Sequence, residues 1–292
     1  MKICAHRQKA GFSIVETLVG ALASVIVGVG VFAILNTGTM LSARNLSLNG
    51  TSNSLRAALD RTENLVQQAD TMPVLIDTSG NTITSGAAAG IRFDRFIGAP
   101  YVMTISAAGL PSSTTSLSLK RSTNTLASPP VPTVGDVIRI DGESSTLRPR
   151  VSAIAISPPD ALLRQTLTAT LVAPLGVTVS GSSTTLTSKL VRNVALIAMP
   201  NGGKRELRYY HSYDLTTNLN DPTKYNIITD QMGMQAEDAT PFSLVQIQTK
   251  NFVNVSFRVR ANKFDQRLLG KQGDQFNTFA RLDVQIRPKV NP

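Results

Sequence analysis

Twenty-four consecutive residues, 12–35 (FSIVETLVGALASVIVGVGVFAIL), carry a single charge, Glu16, and this run constrains the chain more than any other feature. As a helix rising 1.5 Å per residue it is about 36 Å long, enough to cross a bilayer core of about 30 Å. The eleven residues before it, MKICAHRQKAG, contain Lys2, Arg7 and Lys9 and no acid, and few basic residues follow the run. That asymmetry puts the N-terminus in the cytoplasm and the rest of the chain outside. A conventional secretory signal needs a small-residue cleavage site after its apolar core. The best candidate, at 41–43 (LSA), is poor, and the run is longer than a usual signal core.

Glu16 needs an explanation, because a carboxylate within an apolar span costs about 2–3 kcal/mol on insertion scales. It either sits at the membrane surface or meets a cation at the same depth. Cutting the chain after Gly11 creates such a cation, the free amine of Phe12, four residues before Glu16. Residues 9–16 (KAGFSIVE) resemble the class III signal of type IV prepilins and of type II secretion pseudopilins. The resemblance implies that a membrane prepilin peptidase cuts after Gly11, that the new N-terminal Phe12 is methylated, and that Glu16 serves assembly from the fifth mature position. It also implies insertion in the inner membrane, an assembly platform there, and other pilin or pseudopilin subunits as partners. The family's usual membrane-helix proline is missing here; Gly28 and Gly30 stand in the span instead, suited to local unwinding or close packing.

Beyond Leu35 the sequence turns polar but keeps a helical stripe, Leu41, Leu48, Leu55, Leu59, Val66 and Ala69. One helix is expected over about 13–70, with a weak stretch at 49–53 and an end before Pro73. The organisation read from this is a leader at 1–11, a membrane or filament-core helix at 12–35, an amphipathic stalk helix at 36–72 and a β-rich head at 73–292. From residue 74 the period falls to two, with turn clusters at 79–81, 128–130, 158–160 and 201–203. Candidate strands are 91–96, 101–106, 115–120, 136–141, 151–156, 166–172, 184–199, 206–214, 225–229, 243–248, 252–260 and 278–287. The run 184–199 is long enough to be two strands. Segment 133–183 reads as an insert, a small barrel opened by Val137, Ile138 and Ile140 and closed by Val177 and Val179. The expected fold class is α+β: a long N-terminal helix, membrane-spanning in its first half, packed on an antiparallel head in the manner of pilins.

No catalytic constellation is legible, and no cofactor or metal is expected. The only cysteine, Cys4, lies in the leader, so no disulfide holds the head. Of two histidines, His211 sits in a strand-like run and reads as a packed or surface residue. Asp214, Asn218, Asn220 and Asp221 form an oxygen-rich loop, but at no calcium-loop spacing, and read as turns.

Residues 250–292 hold nine Lys or Arg against three Asp. Alternation in the last two strands places Arg258, Arg260, Arg281 and Arg287 on one face, suited to an acidic neighbouring subunit, to nucleic acid, or simply to water. The expected function is structural rather than enzymatic: a minor pilin, since the head is larger than a bulk subunit's. The ending loosely resembles W-type minor pilins and J-type minor pseudopilins. A secretion pseudopilus, or a tip subunit binding DNA or a surface ligand, remains the alternative.

Overall fold

The computed structural model describes residues 13–105, 108–122, 129–143, 147–180, 185–202, 204–233, 236–248, 250–260 and 279–288. Among these residues a single α-helix, α1 (Ile14–Gln67), precedes thirteen antiparallel strands: β1 (Val74–Ile76), β2 (Ala87–Ala88), β3 (Gly90–Thr104), β4 (Ser116–Ser122), β5 (Val137–Ile140), β6 (Val151–Ile156), β7 (Arg164–Leu171), β8 (Thr185–Asn201), β9 (Lys204–Tyr210), β10 (Tyr225–Met232), β11 (Phe242–Ile247), β12 (Lys250–Arg260) and β13 (Phe279–Ile286). The helix is α-helical through 49–53, where a weak stretch is expected, and its last turn tightens as the Gln68 and Ala69 amides donate to Leu65 and Val66. Pro73 lies just beyond, where it cannot interrupt the ladder.

The buried part of α1 follows the expected stripe. Leu55, Leu59 and Val66, with Ala69 just past the helix end, join Ala58 and Leu65 in one core with Phe93, Leu196, Leu207, Phe242, Val255 and Phe257. Leu41, on the same stripe, is exposed. The strands behind this core form a sheet running β11–β12–β10–β9–β8–β3, with β13 on the outer edge of β12 and β1 on β3. Its two ends meet, because β2 pairs with β11 and leads directly into β3. On the opposite face the loop after β9 folds back. Tyr213, Leu219 and Tyr225 cover Ile76, Ala195, Ile197 and Tyr210. Arg208 lies beneath this cover, 4.3 Å from the centre of the Tyr225 ring and 2.9 Å from Glu206.

β3 and β8 run on out of this sheet into a second body with its own core. There the pairing closes: β3–β4–β7–β6, then β5–β8, and β8 back to β3. The gap between β6 and β5 is bridged by backbone bonds, Val151 amide to Asp136 carbonyl (2.8 Å) and Ile138 amide to Pro149 carbonyl (3.0 Å). The result is a six-stranded barrel filled by Tyr101, Met103, Leu117, Leu119, Ile138, Ile140, Val151, Leu167, Ala169 and Leu190. The insert expected at 133–183 is therefore corrected. The barrel begins within β3 and ends within β8, so it is built partly from strands of the main sheet. Val179 is buried in it, but Val177 is half exposed and closes nothing. The run 184–199 is likewise one strand rather than two, because each half serves a different body.

Burial pushes the Tyr101, Tyr210 and Tyr213 hydroxyls above the ordinary tyrosine range. Their folded pKa values exceed the unfolded value of about 10, so the stability they contribute is full below that pH and is lost as pH rises through the folded values. With no Trp in the chain, phenolate absorbance reports this cleanly. Three of the five tyrosines are expected to stay silent near pH 10 and to ionise only together with loss of β circular dichroism. Five-fold ionisation near pH 10 with the fold intact is the contrary result.

Candidate functional site

The first part of α1 holds the residues on which the sequence reading of function rests. From Ile14 to Ser42 every helical residue is exposed, including Leu18, Val25 and Phe32. This stretch of 29 residues is long and apolar enough to cross a membrane. In water it exposes a large contiguous apolar surface, which is consistent with an anchor in a membrane. Gly28 and Gly30 are helical, and the space where a Cβ would stand is open at both.

Gly11 and Phe12, the expected processing residues, lie outside the described residues. Glu16 is described, and its setting shows something the motif did not. The Ser13 hydroxyl accepts a hydrogen bond from the Val15 amide at 3.3 Å and so caps the helix. Glu16 stands three residues after this cap, the place of the acid in a capping box, where the helix dipole also favours negative charge. The pattern Ser-x-x-Glu was open to view in the sequence. Its capping meaning was hidden behind the stronger claim of the processing motif.

At the other end of the chain β12 and β13 pair as expected, with Arg258 directly opposite Arg281 and Arg260 opposite Phe279. The expected row of four exposed arginines does not hold. Arg258 is largely buried and grips Asp238 at both carboxylate oxygens (3.1 and 2.7 Å) from a short 3₁₀ turn, Ala236–Ala239. Gly233 makes room for this pair, since a Cβ there would overlap the Asp238 carboxylate. A charge satisfied in this way is withdrawn from any partner. Arg287 lies one residue beyond β13 and is exposed; the side chains of Arg260 and Arg281 lie outside the described residues.

The oxygen-rich loop is made of turns. Asp214 accepts from the Thr216 amide and from the Thr216 and Thr217 hydroxyls, Asn218 from the Asn220 amide, and Asp221 from the Thr223 amide and hydroxyl. The Thr216 and Thr223 hydroxyls hold the Asp214 and Asp221 carboxyls below the usual range. His211 pins the same loop through the Thr223 carbonyl at 3.1 Å. Among the described residues no three His, Cys, Asp or Glu side chains gather as metal ligands.

A cluster that sequence reading missed lies where α1 ends. Asp70, fully buried at its side chain, receives Arg139 of β5 at 2.5 Å and Arg148 at 3.3 Å. Arg148 also pairs with Asp94, which accepts from Asn193 at 3.0 Å. These partners come from distant parts of the chain, and no local spacing announces them. No family model matches the chain, and neither the curated proteins nor the solved structures give a match.

Proposed function

We propose that the chain is a subunit of a type IV pilin-like filament, a minor one by the size of its head, cut after Gly11 and methylated on Phe12 in the inner membrane. The observation that carries this reading is one helix with two environments. Its first 29 residues are apolar and uncovered, carrying Glu16 behind a basic leader, and one face of its last turns is buried against an antiparallel sheet. In a filament, neighbouring helices replace the lipid around the apolar stretch, and the Glu16 carboxylate neutralises the Phe12 amine of an adjacent subunit.

The test is a pair of substitutions at Glu16. With Glu16→Ala the leader is still removed, but incorporation into sheared filaments falls at least tenfold. The corresponding cost is about 1.4 kcal/mol or more, which an uncompensated buried amine readily exceeds. Glu16→Gln separates the charge from the cap: glutamine suits the same capping-box position and loses the carboxylate. Failure of both variants supports charge pairing between subunits. Rescue by Gln assigns Glu16 to the helix cap and removes the pairing from the proposal, and normal incorporation of the Ala variant removes any assembly role for Glu16.

A further inference from the structure

The main sheet and the barrel have separate cores, joined covalently through β3 and β8. At the crossing β3 is interrupted. Its register with β8 jumps between Ile97 and Tyr101, and Gly98 there takes φ +69°. On the β3 side of β8 the ladder is therefore out of register at the seam, although β5 pairs with β8 without a break there, and charge concentrates around the same place. Asp70, three residues past α1, is stitched to β3 by two backbone bonds, its own amide to the Asp94 carbonyl (2.6 Å) and the Phe96 amide to the Gln68 carbonyl (3.2 Å). The two guanidinium groups that meet its carboxylate, those of Arg139 and Arg148, both belong to the barrel side. Arg148 approaches Oδ2 without an aligned hydrogen bond, so that oxygen depends on charge attraction alone.

We propose that the ion cluster on Asp70 is a latch that fixes the barrel to the main sheet and to the end of α1, and that removing its charge frees the barrel as a folded body hinged at Gly98. A buried carboxylate between two arginines is most stable with both in place, because Asp70 drawn away from them would lose its charge partners in a poorly solvating seam, while Arg148 would keep only Asp94. The cluster thus has two discrete arrangements, closed or hydrated and open, rather than a continuum. Any event that unwinds the segment 68–70 draws Asp70 from between Arg139 and Arg148, so the helix end and the barrel are coupled through one side chain. The Asp136–Arg192 pair, 2.7 Å apart, is a second tie that keeps β5 on β8 when the first is cut.

The experiment is amide hydrogen exchange on the full chain in detergent micelles, comparing Asp70→Asn with the parent. The Asp70, Asp94 and Phe96 amides at the seam are expected to exchange at least tenfold faster. Amides of Leu119 and Leu167 in the barrel and of Val194 and Val255 in the main sheet are expected to stay within twofold. Arg148→Gln, at a side chain a quarter exposed, gives the same pattern at smaller amplitude and serves if Asp70→Asn does not fold. Seam-only acceleration in either variant supports the latch. No change at the seam overturns it, and so does equal acceleration in both cores for Arg148→Gln, which would make the cluster a general stabiliser.

Discussion

Under the proposed processing, replacing Gly11 by Val is expected to leave the leader on the chain. A peptidase working at the membrane surface must close around the peptide bond it cuts, and at Gly11 it meets no side chain at all. A β-branched residue there resists the extended, close approach that cleavage needs. A mismatch of about 3 kcal/mol in the transition state slows cutting about a hundredfold. The consequences compound: Lys2, Arg7 and Lys9 stay attached ahead of the span, no Phe12 amine forms, and Glu16 is left without the cation proposed for it. Intact-mass measurement of the membrane-extracted chain reads the result directly. The variant is expected to retain residues 1–11, and the parent to begin at a methylated Phe12. A variant recovered at the mature mass in normal amount would remove Gly11 as the processing site, and an unmodified parent would remove the proposed function with it.

Gly98→Val unsettles the head at the seam between its two bodies. The left-handed backbone at Gly98 costs an L-residue about 1–2 kcal/mol, most for a β-branched one. A Cβ there would also overlap the Pro130 ring, and overpacking of this kind costs a further 1–3 kcal/mol or so. Together these give a loss of about 3 kcal/mol, read as a fall of about 6–12 °C in the melting midpoint for a domain of this size. A double-mutant cycle divides the loss. Pro130→Ala removes the obstructing ring while leaving the carbonyl that accepts from the Tyr101 hydroxyl, so Gly98→Val is expected to be milder in that background than alone. Equal cost in both backgrounds would assign the whole effect to backbone strain, and no cost in either would mean the seam tolerates a side chain.

Much of the fold was legible because it is written in near neighbours. The apolar run and the stripe Leu55, Leu59, Val66 gave α1 to within three residues at its C-terminal end. Period-two alternation found the strands from β4 to β13, as in Val253, Val255 and Phe257 of β12, all buried, but it divided β3 into 91–96 and 101–106, on either side of the register shift at Gly98. The short strands β1 and β2 escaped it, being three and two residues long and too brief to show a period. β8 was misjudged for the opposite reason: residues 194–199 are buried on both faces, so no alternation marks where one strand would end.

By itself, then, the sequence determined the apolar helix with its lone Glu16, the strand-rich head and the turn loop around Asp214, since each depends on residues a few positions apart. Tertiary structure alone decided which strands share a core, which charges are spent and where the chain bends between bodies. Tyr101 faces Ser188 across 87 positions, and that register, not any motif, places β3 in the barrel. Arg258 alternates as a surface residue should, yet Asp238 reaches it from a turn twenty residues upstream and takes its charge. Asp70 looks like an ordinary polar residue after a helix until Arg139 and Arg148 arrive from 69 and 78 residues away. Local periodicity follows from the geometry of one segment. Pairing register and buried charge follow from which segments meet, and that is settled only when the whole surface each can bury is weighed against the others.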